Sequence, residues 1–204
     1  VLWGTYDTGK PRVRILINGL KSNGVEVTEC HTSIWRDVDD KSQVTGIANK
    51  TILLLKWLFS YPALIYRYLR LPKHDAVMVS YMGHLDVLIL WPFAKLRRRP
   101  IIWDAFLSLY NTVVQDRHLL STWNPAALLL YAWEWIACRA ASKIILDTKK
   151  HADYFIDQYS LENDMVYSVF VGAEPEHFYP VPFHKPDKNS QEASVLFYGQ
   201  FIPL

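Results

Sequence analysis

Residues 75–104 read DAVMVSYMGHLDVLILWPFAKLRRRPIIWD. Ala76-Val77-Met78-Val79 is a short apolar run, the length of a buried strand. The chain then turns through Ser80-Tyr81-Met82-Gly83-His84. Leu85 to Leu96 is long and apolar enough for a buried helix. Pro100-Ile101-Ile102-Trp103-Asp104 is another strand. Strand, helix and strand in succession place the two strands parallel, because a helix carries the chain back to the sheet's starting edge.

The same alternation continues on both sides. Val1-Leu2-Trp3 is a short strand ending at Gly4. The loop from Thr5 to Lys10 leads to Pro11, a favoured first residue of a helix. Val13, Leu16, Ile17 and Leu20 then form one helical stripe, and Asn23-Gly24 stops it. Val25 to Thr28 reads as the second strand. Asp37 to Asn49 is polar and reads as a loop. The helical stretch that follows is expected to break or kink at Pro62. Downstream, an aromatic-rich loop runs from Asp104 to Asn124, which caps a helix with Pro125 at its first position. Lys143 to Leu146 is the fifth strand, Asp147-Thr148 opens a helix, and Val166 to Val171 is the sixth strand. The fold class is therefore α/β, a Rossmann-like parallel sheet with helices on both faces.

Residues 1–180 are expected to form this domain. Ala173 to Ser190 contains four prolines and reads as the approach to a linker, assigned to 181–194. Val195-Leu196-Phe197-Tyr198-Gly199 is one further strand, expected to open a second domain at 195–204. The first strand begins at Val1 itself, so an upstream start is expected.

Half of the 204 residues are hydrophobic and 21% are charged, which suits a packed core and excludes disorder. Charge is unevenly spread. Lys41 to Trp103 holds ten Lys/Arg and two acids, a net +8, while the rest carries −6. An electropositive segment suits an anionic membrane surface or a phosphate-bearing ligand; the blander reading is a set of solvated helix faces. Ala126 to Cys138 is too short to span a bilayer and contains Glu134. Thr51 to Leu71 holds Lys56, Pro62, Arg67 and Arg70, so it suits a membrane surface or the sheet better than a span. Cys30 and Cys138 read as buried thiols in a reducing compartment. No signal peptide is visible, and a cytoplasmic location, peripheral on the inner face of the membrane, is expected.

In open parallel sheets, ligands sit beyond the carboxyl ends of the strands. The residues just after each strand are thus the site candidates. Gly4 to Lys10 matches G-x-x-x-x-G-K, the core of a phosphate-gripping loop. Pro11 follows where Ser or Thr would hold magnesium, and it lacks the backbone N–H that would face the phosphate. A glycine turn before a helix N-terminus can still receive a diphosphate. Gly83-His84 offers an imidazole for hydrogen bonding or proton transfer. Asp104 to Asn111 (DAFLSLYN) offers a carboxylate, the Ser108 hydroxyl, the Tyr110 phenol and the Asn111 amide among apolar residues, a mixture suited to a sugar. Arg117 is a phosphate contact or an ion-pair partner. Each position also has a structural reading, as turn, cap or core. No metal-site spacing, G-x-S-x-G, H-E-x-x-H or C-x-x-C occurs.

Taken together, several stretches resemble the N-terminal domain of family-4 glycosyltransferases with the GT-B fold. They are Lys10 to Leu20 with Gly24 to Val27, Asp75 to Asp86, PIIWDAFLSLYNTVVQDR at 100–117, SKIILDTKKHADYF at 142–155, Val171-Gly172-Ala173 through Phe178-Tyr179-Pro180, and VLFYGQFIP at 195–203. Each stretch is short, and their order carries the resemblance. It implies a retaining hexosyl transfer from a nucleotide-sugar donor to a carbohydrate or lipid-linked acceptor, with no metal, no other cofactor and no nucleic-acid partner. This half would bind the acceptor, and a further domain, carrying the donor-side carboxylates, would bind the donor. Residues 1–204 by themselves are thus expected to be inactive. The resemblance implies catalytic roles for His84 and Asp104. It puts Gly4, Thr5, Lys10, Arg12, Gly83, Ser108, Tyr110, Asn111, Arg117 and Thr148 at the diphosphate or acceptor. Relatives place a histidine after the fourth strand, where this chain has Asp104. A nucleotide hydrolase built on Gly4 to Lys10 and a non-catalytic membrane-surface module are the alternatives.

Overall fold

A computed structural model describes residues 1–34, 47–174 and 178–179. Its strands are β1 (Leu2–Gly4), β2 (Glu29–His31), β3 (Val77–Val79), β4 (Ile101–Phe106), β5 (Lys143–Leu146) and β6 (Val166–Ser168). All pair in parallel, in the order β2-β1-β3-β4-β5-β6. The intervening helices are α1 (Pro11–Ser22), α2 (Ile47–Arg70), α3 (His84–Leu96), α4 (Pro125–Ala140) and α5 (Lys149–Tyr159). This is the expected α/β architecture of Rossmann type.

Side-chain alternation along the strands decides which helix covers which face. Trp3, Val77, Val79, Ile101, Trp103, Ala105, Ile144 and Leu146 point to one side, where α2, α3, α4 and α5 bury Leu64, Leu90, Ala137 and Phe155 against them. Leu2, Met78, Ile102 and Ile145 point to the other, where α1 lays down Val13 and Ile17. These two positions, with Leu16 and Leu20 packed beside them, are the stripe read from the sequence. Asn124 caps α4 by accepting from the Ala126 N–H, as expected of it. Cys30 and Cys138 are free and buried.

The structure places some of these elements differently. The second strand lies at Glu29–His31, not at Val25 to Thr28. β1 begins at Leu2 and pairs Leu2 with Glu29, so residues 25–27 extend past its amino end and have no strand to join. Of the break or kink expected at Pro62, the break does not occur, and α2 runs through it as one helix. Proline costs a helix about 3 kcal/mol, but Tyr61, Leu64 and Tyr68 are buried on both sides of it and hold the helix on the sheet. The Leu58 carbonyl that loses its partner belongs to an exposed residue, where water can replace the bond. The expected loop at 37–49 lies outside the described residues as far as 46, and from Ile47 the chain is helical. At the sheet's far end, β6 stops at Ser168, short of Val171.

The chain divides into two compact units, Val1–Gly172 and Ala173–Leu204. The first holds the whole sheet. The expected linker at 181–194 and strand at 195–204 lie outside the described residues. Among the described residues, no helix is long and apolar enough to cross a membrane.

Candidate functional site

β1 connects first to β2 on one side, and the chain then crosses to β3 on the other. The strand order therefore switches between β1 and β3, and the crevice above that point is where a parallel sheet receives its ligand. Here the crevice floor is filled by the protein itself. Asp86, in the first turn of α3, is 3% exposed. Its carboxylate accepts the Thr5 N–H at 2.8 Å, the Tyr61 hydroxyl at 2.6 Å and the Thr5 hydroxyl at 3.1 Å. Trp57 donates in turn to the Thr5 oxygen. Gly4 is obligatory in this packing. Its φ is +133°, and a Cβ there would stand 2.3 Å from Asp86 Oδ2. Gly83 is required for space alone, since a Cβ would meet Val79 Cγ1 at 2.4 Å and the Ser80 carbonyl at 2.6 Å. Burial pushes the Asp86 carboxyl above its ordinary range, with the Tyr61 and Thr5 hydrogen bonds opposing it.

Gly4 to Lys10 does not present an open phosphate cradle. The Thr5 amide points at Asp86, the Gly9 amide at Asp7 Oδ1 and the Lys10 amide at the Asp7 carbonyl. Lys10 precedes α1 as its N-cap, without a side-chain capping bond.

Next to the crevice, Arg12 and Asp104 form a buried pair at 6% and 0% side-chain exposure. Arg12 Nε lies 3.0 Å from both carboxylate oxygens and Nη2 lies 2.5 Å from Oδ1. Nη1 reaches the Val169 carbonyl after β6. One guanidinium thus ties α1 to β4 and to the end of β6. Burial raises the Asp104 carboxyl, Arg12 opposes this, and nearby Asp147 adds to it. Phe106, whose ring lies 4.7 Å from the Arg12 guanidinium carbon, closes the pair from above. Phe106 has φ +67° and Met82 has φ +65°. Phe106 ends β4 and Met82 lies in the turn after β3, and left-handed backbone at bulky residues persists only where the surroundings enforce it.

The third cluster centres on Glu134 of α4, which is fully buried. Its Oε1 accepts from His84 Nε2 at 3.0 Å and the Leu109 N–H at 2.9 Å. Its Oε2 accepts from the Ser108 hydroxyl at 2.7 Å, the Tyr159 hydroxyl at 2.6 Å and the Tyr110 N–H at 3.1 Å. Burial alone would raise this carboxyl; the hydrogen bond and charge of His84, with Tyr159 and Ser108, overcome that and hold it below its ordinary range. A carboxylate only accepts, so the His84 Nε2 carries the hydrogen. Glu134 thereby fixes the segment after β4. Ser108 also accepts the Asn111 N–H, and a π-helical turn, Asn111–Asp116, follows. Such turns are rare and concentrate at functional sites.

Above these buried layers lies a polar rim. Tyr154 donates to Gln115 Oε1 at 3.0 Å, and the Asn111 amide donates to the same oxygen at 2.8 Å. His151 Nδ1 lies 2.5 Å from Asp147 Oδ1, and its side chain is 41% exposed. Thr148 caps α5 by accepting from the His151 N–H.

The structure therefore gathers Gly4, Thr5, Arg12, Gly83, His84, Asp104, Ser108, Tyr110, Asn111 and Thr148 at one edge of the sheet. It layers them. His84, Asp104, Arg12, Thr5, Ser108 and Tyr110 are buried, and each of the first five has its polar group on a protein partner. Asn111 and Thr148 are half-buried at the rim, and Arg117 is exposed at the end of the π-helical turn. The residues the sequence did not single out are Asp86, Glu134, Tyr159, Tyr154 and His151, the last paired with Asp147, which follows the fifth strand and was a candidate by that position. One signal was present: Glu134 is the one acid in an apolar helix, and such a charge is buried only when paired. The others depend on contacts 25 to 81 residues apart in sequence or on an ordinary helix N-terminus. Among the described residues, no group of three His, Cys, Asp or Glu is arranged to hold a metal ion. Two grooves open at the opposite, amino-terminal edge, one beside His74 and Asp75 and one beside Lys95 and Arg99. Neither touches the clusters above.

No protein-family model and no curated protein matches this chain. Its functional reading rests on the residues themselves.

Proposed function

We propose that the carboxyl edge of the sheet is the acceptor side of a retaining glycosyltransferase, which moves a sugar from a nucleotide-sugar donor to a glycan or lipid-linked acceptor. The observation that carries this reading is the rim. Asn111, Gln115, Tyr154 and His151 offer hydrogen-bond donors and acceptors, beside the edge-to-face aromatic pair Tyr81–Phe106. Such a surface suits a polyol, whose hydroxyls need both kinds of partner and whose apolar ring faces stack on aromatics. The order of motifs along the chain supports the same class. A phosphate-cleaving site on Gly4 to Lys10 is disfavoured, because the amides it needs already serve Asp86 and Asp7.

In the transfer, the bond from the donor's anomeric carbon to its phosphate oxygen breaks. The bond to the acceptor oxygen forms on the same face. The diphosphate leaves with the electron pair, and the acceptor's proton passes to it. On this side the protein's contribution is positioning. His84 and Asp104 act from beneath, by holding the strand ends in place through Glu134 and Arg12. His151 and Tyr154 contact the acceptor.

Saturation-transfer NMR with a panel of mono- and oligosaccharides, alkyl glycosides, nucleotide sugars and magnesium–ATP tests this. The expected result is saturation of glycoside protons by the wild-type chain, lost in His151→Ala and Tyr154→Phe chains that melt as the wild type does. Binding of magnesium–ATP alone, or glycoside signals indifferent to both substitutions, would overturn the reading.

A further inference from the structure

The helices α2, α3 and α4 share one side of the sheet, and their outward surface is unusual in two respects. It is apolar: Leu55, Leu58, Phe59 and Leu69 on α2, Leu96 on α3, and Leu128, Leu129 and Ile136 on α4 are exposed, with Phe59 at 76%, Leu96 at 75% and Leu129 at 72%. It also shows no exposed acid on any of the three helices, whose only acidic residues are Asp86 and Glu134, both buried. A water-facing helix surface is normally dressed with charges of both signs.

The ends of these helices repeat one arrangement. At the C-terminus of α2, Arg70 lies over the exposed Tyr66 ring at 4.3 Å. In α3, Lys95 lies over Trp91 at 5.1 Å, and in α4, Arg139 lies over Trp135 at 3.6 Å. Each pair is spaced by four residues in the last turns, and the three helix ends sit at the same, amino-terminal edge of the parallel sheet. Cations at helix C-termini follow from the helix dipole. The dipole does not explain an exposed aromatic under each of them. Between the ends of α3 and α4 runs a groove of about 380 Å³, lined by Trp91, Lys95, Arg98, Arg99, Ala140 and Ser142 among others. Arg98 is held at φ +56°, a conformation that favours glycine or asparagine, in the turn that presents this basic run.

We infer that this surface docks on an anionic lipid bilayer, with the aliphatic side chains entering the acyl boundary, the aromatic–cation pairs at headgroup level and the Lys95–Arg98–Arg99 groove taking lipid phosphates. Exposed aromatics match the belt that interfacial proteins place at this depth, and the one-signed charge matches phosphatidylglycerol or phosphatidylserine. The sequence left 51–71 to a membrane surface or to the sheet, and the helix has a face for each: Tyr61, Leu64 and Tyr68 pack on the sheet, while Leu55, Leu58, Phe59 and Leu69 face outward. The docking surface also reaches beyond the basic segment at 41–103 to take in α4. The inference stands apart from the sugar chemistry, so failure of vesicle binding leaves the NMR test intact.

The test is co-sedimentation of the full chain with vesicles of phosphatidylcholine alone and of equal parts phosphatidylcholine and phosphatidylglycerol. Binding is expected to the second only. The triple substitution Arg70→Ala, Lys95→Ala, Arg139→Ala is expected to weaken it on the order of a hundredfold, three charges each contributing about a factor of five. These side chains are at the surface, and an unchanged thermal melt controls for folding. Trp91→Phe with Trp135→Phe is expected to remove most of the fluorescence quenching by brominated lipids, and millimolar glycerol phosphate is expected not to compete. Equal binding to neutral vesicles, binding untouched by the triple substitution, or self-association through this surface without vesicle binding would each overturn the inference, the last by making a second copy of the chain the partner.

Discussion

Replacing Glu134 by alanine tests the layered site at its most connected point. The carboxylate accepts five hydrogen bonds in a fully buried position, from His84, Ser108, Tyr159 and the amides of Leu109 and Tyr110. A buried donor left without a partner costs about 1–3 kcal/mol. The losses do not add. Ser108 and Tyr159 already lie 3.4 Å apart and can turn to each other, and the Leu109 amide is near enough to the surface to find water. Breaking one buried ionic pair costs about 3–5 kcal/mol, and that is the expected loss for Glu134→Ala. Glu134→Gln keeps one accepting oxygen but turns an NH2 group toward donors, so a loss of about 1–3 kcal/mol is expected. Urea unfolding measures both, as a midpoint shift at unchanged slope. The pH dependence is a second check. The folded chain holds this carboxyl below its ordinary range, so the unfolded chain binds the proton more readily. Its stabilisation is complete at neutral pH and is lost as pH falls through the folded-state pKa. The gap between wild type and Glu134→Gln should therefore narrow in acid. An alanine variant as stable as wild type, or a gap that widens in acid, would refute the reasoning.

Asp86 should behave with the opposite sign. Burial raises its carboxyl, so its contribution is complete below the ordinary aspartate range and is lost as pH rises through the folded-state pKa; the stability of wild type relative to Asp86→Asn should fall from acid to neutral pH. Gly4→Ala should cost about 2–4 kcal/mol, because its Cβ would overlap Asp86 at a φ that alanine disfavours. Gly19→Ala, in α1 with nothing within 4 Å of the new Cβ, should instead stabilise by about 0.5–1 kcal/mol, and thermal melts of the two variants check the contrast. Arg12→Ala strands the buried Asp104 carboxylate and should cost about 3–5 kcal/mol; pairing Arg12→Met with Asp104→Leu should restore most of it in urea unfolding, since the apolar pair removes the uncompensated charge.

Glu134 also shows what changed between the sequence and the fold. In the chain it was a charge that spoiled an apolar run. In the fold it is the acceptor around which the segment after β4 is arranged. Asp104 and His84, read from the chain as candidate catalysts just beyond the strands, are in the fold buried groups paired with Arg12 and Glu134.

What the sequence by itself determined is the alternation of strand and helix, the parallel sheet, the edge on which the loops collect, and the uneven charge. These follow from local periodicity and from single residues such as Pro11, Gly24 and Asn124, whose effects act within a few residues. Only the tertiary structure decided where β2 pairs, that α2 survives Pro62, that the Gly4 turn is closed by Asp86, and that three helix ends line up an aromatic and a cation apiece. Each of those depends on partners distant in the chain: Leu2 on Glu29, Thr5 on Asp86, His84 on Glu134. Burial and register are properties of the assembled sheet. A side chain's role as ligand contact or support is set by whether the fold leaves its polar atoms open or gives them a partner.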